Sequence, residues 1–338
     1  MAQQWDGILL RDDLSEQGLI PRNALATSPD IVLSGWTPLP DPGALTTPDS
    51  YGRDFDQGLR IGMPNYIYVR GKNGTDGSLS GNWNLFFATP NILLFPSLWE
   101  RNVIATSAGN RNPRFAIGAG EIGVCADPFT WVPSDVSDNY CLIATASTPG
   151  HGNPLQRVVG ITDLAEVLSL NANIAQRNVQ IFRGTPPQIV FSAGYYQGAE
   201  TAMVDLTLLF ENIPRGSSYT FASAVPLNGQ MISHSESNTT QTSFRYGWTD
   251  LAIPAQWNTR FTGTLAFGGD WSGIPPGQKP RVTIRVDLVQ QSVQRLYGLG
   301  SEPGPAPVTG APRLGGATGP IRVVTAGSYA VTCPDMGP

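Results

Sequence analysis

Two histidines, His151 and His234, and three cysteines, Cys125, Cys141 and Cys333, are the side chains of this 338-residue chain best suited to acid–base, nucleophilic or metal chemistry. Their spacing supports little of it. His151 stands in Pro149-Gly150-His151-Gly152-Asn153 and His234 in Ser233-His234-Ser235-Glu236. Both contexts read as polar loops, and neither is the HExxH or H-x-E setting that would hold zinc. No CxxC pair offers a thiolate site, and three cysteines cannot build a disulfide framework. Cys125 and Cys141 are expected as buried thiols on neighbouring strands, with a bridge between them as the alternative in an oxidising compartment. Cys333 is expected exposed in the tail.

The chain has no GxSxG elbow, no GxxxxGK[ST] phosphate loop and no GxGxxG after a strand, so hydrolase, nucleotide and dinucleotide readings lose their main support. Asp54-Phe55-Asp56-Gln57-Gly58 and Asn73-Gly74-Thr75-Asp76-Gly77 could each lend oxygens to calcium, but that ion takes about 6–8 of them and ordinary turns explain both. Paired carboxylates for glycoside hydrolysis would meet only in the fold, and no pair stands out. The expectation is a non-enzymatic chain without catalytic residues, bound metal or cofactor.

Aromatic side chains carry more information. Trp5, Trp36, Tyr195, Tyr196, Trp257 and Trp271 cannot all face one core; on loops they could fill a partner's pocket or stack on sugars, and they could equally plug the ends of a sandwich. Tyr195, Tyr196 and Trp271, which stand near glycines, are the candidate partner-binding residues of this group. A second set lies at the C-terminus. Ile321-Arg322-Val323-Val324 and Tyr329-Ala330-Val331-Thr332 flank Thr325-Ala326-Gly327-Ser328, the pattern of a small hairpin. Two strands alone are marginal in water, so Ile321, Val323, Tyr329 and Val331 are expected to add to a sheet edge, of their own chain or of a neighbour.

The elements that must position these residues are strands. Gly 38 and Pro 29 make about a fifth of the chain, and only 14% of residues are charged, against roughly 25% in an average soluble domain. Many turns with few solvated charges favour β-structure. The net charge of −5 gives no positive field for nucleic acid. The apolar runs, such as Ile92-Leu93-Leu94-Phe95, fall far short of the ~20 residues that span a bilayer. The N-terminus lacks the pattern of a secretory signal, so any export is expected by a non-classical route or by lysis.

Along the chain, residues 1–27 read as an arm docking on the first domain, its Arg11-Asp12-Asp13 keeping it out of the core. Residues 28–64 are turn-rich around one β-like piece, 30–33. Alternation in 65–70 and 82–88, with Trp83, Leu85 and Phe87 on one face, predicts a hairpin through the Gly-rich turn 72–81. Further strands are expected at 129–133, 140–144 and 177–182. Asp163-Leu164-Ala165-Glu166 predicts a capped helix. A stiff linker at 184–187 leads to a second module with strands at 203–210, 218–222, 242–248, 260–267 and 281–289. In the last, Val282, Ile284, Val286 and Leu288 form a core face opposite a wet one. Residues 298–320 read as a linker too poor in large apolar groups to fold alone.

The blocks Asn65-Tyr66-Ile67-Tyr68-Val69-Arg70-Gly71-Lys72-Asn73, Pro96-Ser97-Leu98-Trp99, Phe129-Thr130-Trp131-Val132-Pro133, Tyr140-Cys141-Leu142-Ile143-Ala144 and Asn173-Ile174-Ala175-Gln176-Arg177-Asn178-Val179 resemble the CARDB-like immunoglobulin-like modules of bacterial adhesion-related proteins. The resemblance covers about residues 28–183. It implies a seven-stranded sandwich with Trp and Cys in its core, no catalytic residues, and a role as spacer, adhesive unit or appendage.

The expected architecture is therefore all-β. Two tandem immunoglobulin-like antiparallel sandwiches, at 28–183 and 184–297, follow the 1–27 arm, with one short helix in the first and a Gly/Pro-rich tail, 298–338, ending in a hairpin. The expected function is that of a structural or recognition component of a bacterial assembly or secreted toxin-like system, which binds a protein partner or itself. A carbohydrate-binding module and a membrane-acting toxin component are the alternatives.

Overall fold

A computed structural model describes residues 3–23, 25–133, 140–153, 158–179, 188–275, 277–289 and 323–332. Contacts divide the chain into two bodies: residues 1–89, 94–158 and 167–182 form the first, and residues 90–93, 159–166 and 183–338 the second. Both are built of β-sheets, antiparallel except where β4 meets β5.

In the first body, β6 (Asn65–Asn73) organises one sheet. It pairs with β2 (Ile8–Leu9), β4 (Ile31–Ser34), β10 (Ile122–Val124) and β11 (Phe129–Trp131), and β5 (Asp56–Gln57) joins beyond β4. The second sheet runs β13 (Ile174–Val179), β12 (Tyr140–Ser147), β7 (Leu79–Ala88), β8 (Val103–Ile104), with β9 (Arg114–Ile117) also on β7. A separate two-stranded piece pairs β1 (Gln3–Gln4) with β3 (Leu19–Ile20). Alternate residues of the two large sheets share one core: Ile67 and Val69 from β6, Trp83 and Leu85 from β7, Leu142 and Ala144 from β12. Each fully buried aliphatic there contributes roughly 1.5–3 kcal/mol.

The expected hairpin does not form, because β6 and β7 lie in different sheets. Alternation identifies which residues face the core, but it does not say whether the next strand sits beside the first or across from it. The arm is corrected too. Ile8 and Leu10 belong to the core cluster, and Arg11 and Asp12 are both buried. Burial of these charges is possible because they are paired. Arg11 reaches Asp30 at 2.6 Å, and Arg22 reaches Glu16 at 3.0 Å and Asp12 at 3.5 Å. Arg22 also donates to the carbonyls of Leu10, Leu168, Asn171 and Ile174, tying residues 10–22 to the end of the helix α2 (Ile161–Leu170) and to β13.

The helix begins two residues before Asp163. Asp163 is therefore the third helical residue, and its carboxylate reaches back to the backbone N–H of Gly160 at 3.3 Å, one half of a capping box. A short 3-10 turn, Pro42–Thr46, and the single-turn α1 (Pro48–Tyr51) occupy the region read as loops.

The second body packs two four-stranded sheets. One runs β14 (Gln188–Tyr196), β19 (Asn258–Ala266), β16 (Ser218–Ser223), β17 (Ser233–Glu236). The other runs β18 (Phe244–Ile253), β15 (Ala202–Glu211), β20 (Arg281–Val289), β21 (Val323–Thr332). Strands β15, β16, β19 and β20 match the sequence reading within two residues, β18 runs five residues past its expected end, and β14 and β17 are additions. Val282, Ile284, Val286 and Leu288 are buried as their alternation requires. The opposite face of β20 is drier than expected: Asp287 is buried because Arg285 donates to it at 2.8 Å and Thr325 at 2.7 Å.

The C-terminal hairpin is corrected to one continuous strand. Residues 323–332 pair with β20 of the same chain from Arg281↔Thr332 to Val289↔Val323, with a bulge at Val286/Asp287. Thr325 to Ser328 extend within that ladder instead of turning.

Candidate functional site

Most residues singled out from the sequence serve the fold. Tyr195 is wholly buried in β14, where Ile189, Phe191, Ala193 and Tyr195 all point inward. Its hydroxyl donates to Gln197 at 2.5 Å, and burial pushes its phenol up. Gly194 precedes the aromatic pair for a reason: a Cβ there would lie 2.9 Å from the Asn91 amide, and Gly194 exchanges backbone hydrogen bonds with Pro90 and Ile92. Tyr329 and Val331 are likewise buried, since β21 carries them into its sheet. These three are not surface residues of the chain. Tyr196 is half-buried with its hydroxyl on Gln256, and Trp271 is half-buried beside Phe267, with ring centres 5.8 Å apart. Ile321 and the 184–187 linker lie outside the described residues, as does Cys333; Val323 is described by its backbone pairing with Val289.

The polar candidates are also occupied. Cys125 and Cys141 are buried, unbridged thiols. Burial, and then Asp127, push the Cys125 thiol up to about 12, and Cys141 contacts Asn178 at 2.8 Å. Asp54 holds Arg177 at 2.6 Å. Asn73 caps its own turn by donating to the carbonyls of Gly77, Ile117 and Gly118. His151 meets Asp6 at 3.0 Å and packs on Trp5.

His234 differs from its sequence reading. It stands on β17, and its ring stacks on Tyr246 of β18 at 3.5 Å and 8°. Among the described residues, β17 and β18 are each the end strand of their sheet, so this stack bridges the seam where the two sheets meet. Along β18, Phe244, Tyr246 and Trp248 recur at every second residue and all remain half-buried. Behind them a chain of rings runs inward: Phe244 stacks on Phe210 at 4.5 Å, Phe210 meets Tyr219 at 4.4 Å, and Trp248 meets Phe221 at 5.6 Å. A groove of about 550 Å³ opens beside them, lined by Phe210, Glu211, Gln241, Ser243, Phe244 and Arg245.

Desolvation lowers the pKa of His234, opposed by the nearby Glu236 carboxylate, so the imidazole favours its neutral form for stacking. The seam therefore offers flat, rigid aromatic area beside a strand edge, with polar groups at its margin. Such a surface is suited in shape and polarity to apolar side chains and extended backbone. Sequence reasoning missed it although the signal was present, as Phe-x-Tyr-x-Trp at 244–248 repeats every second residue.

No family model matches the chain, and no curated protein matches it. Among solved structures, red sea bream transglutaminase is similar at 10% identity and a TM-score of 0.22, over 69% of this chain and 28% of that one. An allantoicase is similar at 12% identity and a TM-score of 0.18, over 60% and 78%. The chain thus spans under a third of the transglutaminase it is compared with.

Proposed function

We propose that the chain is a non-enzymatic structural or recognition component that binds protein, a partner or its own copies, through the open seam of its second body. One observation carries this reading: Phe244, Tyr246 and Trp248 lie half-buried along an end strand whose outer edge takes no neighbour among the described residues. Strand edges of this length invite pairing unless they are blunted, and aromatic anchors are the residues that dominate protein contacts. The facing strand β17 is short and carries His234 and Glu236, which limits pairing on its side. For the first body we propose the CARDB-like, immunoglobulin-like module; its two facing sheets and the core position of Trp83 support that assignment.

Light scattering on the full chain across a concentration series, paired with capture experiments on immobilised chain, tests the proposal. Association or capture that Tyr246→Ser abolishes is expected. A chain that stays monomeric and captures nothing contradicts it, and quenching of tryptophan fluorescence by soluble glycans would replace protein with carbohydrate as the ligand.

A further inference from the structure

We propose that Val323–Thr332 is a donor strand, able to complete the β20 edge of a second copy of this chain as it completes its own; this rests on the assembly reading above. β21 is a full structural partner of β20, and it brings Tyr329 and Val331 into the buried interior. A chain whose own β21 is elsewhere leaves that edge unpaired.

The connection leaves open which copy supplies the strand. Val289 and Val323 are directly paired, roughly 5 Å apart as neighbouring strands are, and a tight hairpin of about 2–5 residues would join them. Residues 290–322 intervene instead, a length that can reach at most on the order of 100 Å. A connection of that length permits pairing with either copy, and the choice falls to the effective concentration of donor strands, which an assembly raises for neighbouring copies.

Two features make the edge selective for this strand over an arbitrary one. Gly327 lies where a Cβ would meet the Ile92 carbonyl oxygen at 2.2 Å, so the acceptor demands glycine at that register. Asp287, buried on β20, receives the Thr325 hydroxyl at 2.7 Å, so it demands a donor two residues earlier. Among the described residues the chain's own Val323–Thr332 meets both demands, and a second copy carries it.

Arg281 and Thr332 are paired and partly accessible, which allows a test in the full chain. On a Cys333→Ser background, a tagged copy carrying Arg281→Cys is co-expressed with an untagged copy carrying Thr332→Cys, and disulfides are formed under mild oxidation. Exchange predicts a covalent tagged–untagged pair at least tenfold above that obtained by mixing the two copies after separate purification. A control chain carrying both substitutions must close its disulfide, within one copy or between two, which shows that the paired geometry holds. If the control closes and no mixed pair forms, exchange is overturned. Sedimentation of the same co-expressed sample as an oligomer would then leave the assembly reading standing, whereas sedimentation as a monomer would remove both.

Discussion

Arg70 donates from its Nε to Asp30 Oδ1 at 3.2 Å, and neither side chain reaches solvent. Arg11 holds the same carboxylate at 2.6 Å and stacks its guanidinium 3.4 Å over the Tyr51 ring. Two cations thus depend on one anion, and Arg70 completes its hydrogen bonds on the carbonyls of Pro29, Ser50 and Arg53. Burial lowers the Arg70 pKa while Asp30 opposes that shift. Asp30→Ala would leave both guanidinium groups buried without a counter-charge. The expected loss is about 3–5 kcal/mol, a large share of the roughly 5–15 kcal/mol that holds a typical domain. Urea unfolding measures it.

The Asp12 site has a pH signature of the opposite kind. Burial raises the Asp12 carboxyl well above the usual carboxylate range; Arg22 pulls it down, and Glu16 and Asp13 add to the rise. The folded chain therefore binds this proton more tightly than the unfolded chain. Its contribution is full below the ordinary carboxylate value and is lost as pH rises through the raised one. Asp12→Asn should gain stability over the native chain at neutral pH, and the gain should shrink as the solution is acidified. Thermal melts of both chains from pH 4 to 8 read the difference.

Gly263 sits on β19 directly between Phe191 of β14 and Phe221 of β16, whose rings stack across it at 6.4 Å. A Cβ at that position would lie 2.1 Å from the Phe191 ring. Gly263→Ala is expected to cost about 1–3 kcal/mol through forced displacement of the rings, whereas Gly269→Ala, where a Cβ meets nothing, should cost under ~0.5 kcal/mol.

Thiol reactivity follows burial. With Cys333 replaced by serine, the native chain should react with a thiol reagent at neither Cys125 nor Cys141, and both should react once it is unfolded. Titration before and after guanidinium addition checks this; rapid labelling of the native chain at either residue contradicts the packing described.

What the sequence discloses here follows from the range of each interaction. The strands β15, β16, β19 and β20 were legible because alternation is a local property. The neighbour of a strand is not local, so β6 and β7 read as a hairpin and β21 as two short strands. Gly194 masked β14 because its cause, the approach of Pro90 and Asn91, comes from distant chain. Arg11 and Asp12 read as solvated because their partners lie elsewhere: Asp30 for Arg11, Arg22 for Asp12. The aromatic seam was half legible: the 244–248 alternation marked a strand, but only the fold shows that, among the described residues, this strand ends its sheet beside His234.

Amide hydrogen exchange along Phe244–Ile253, followed across a concentration series of the chain, addresses the seam most directly. Binding there predicts slowed exchange at the β18 edge, together with loss of that slowing in Tyr246→Ser. Association that leaves β18 exchange unchanged, with new protection only elsewhere, would contradict the seam as the contact surface.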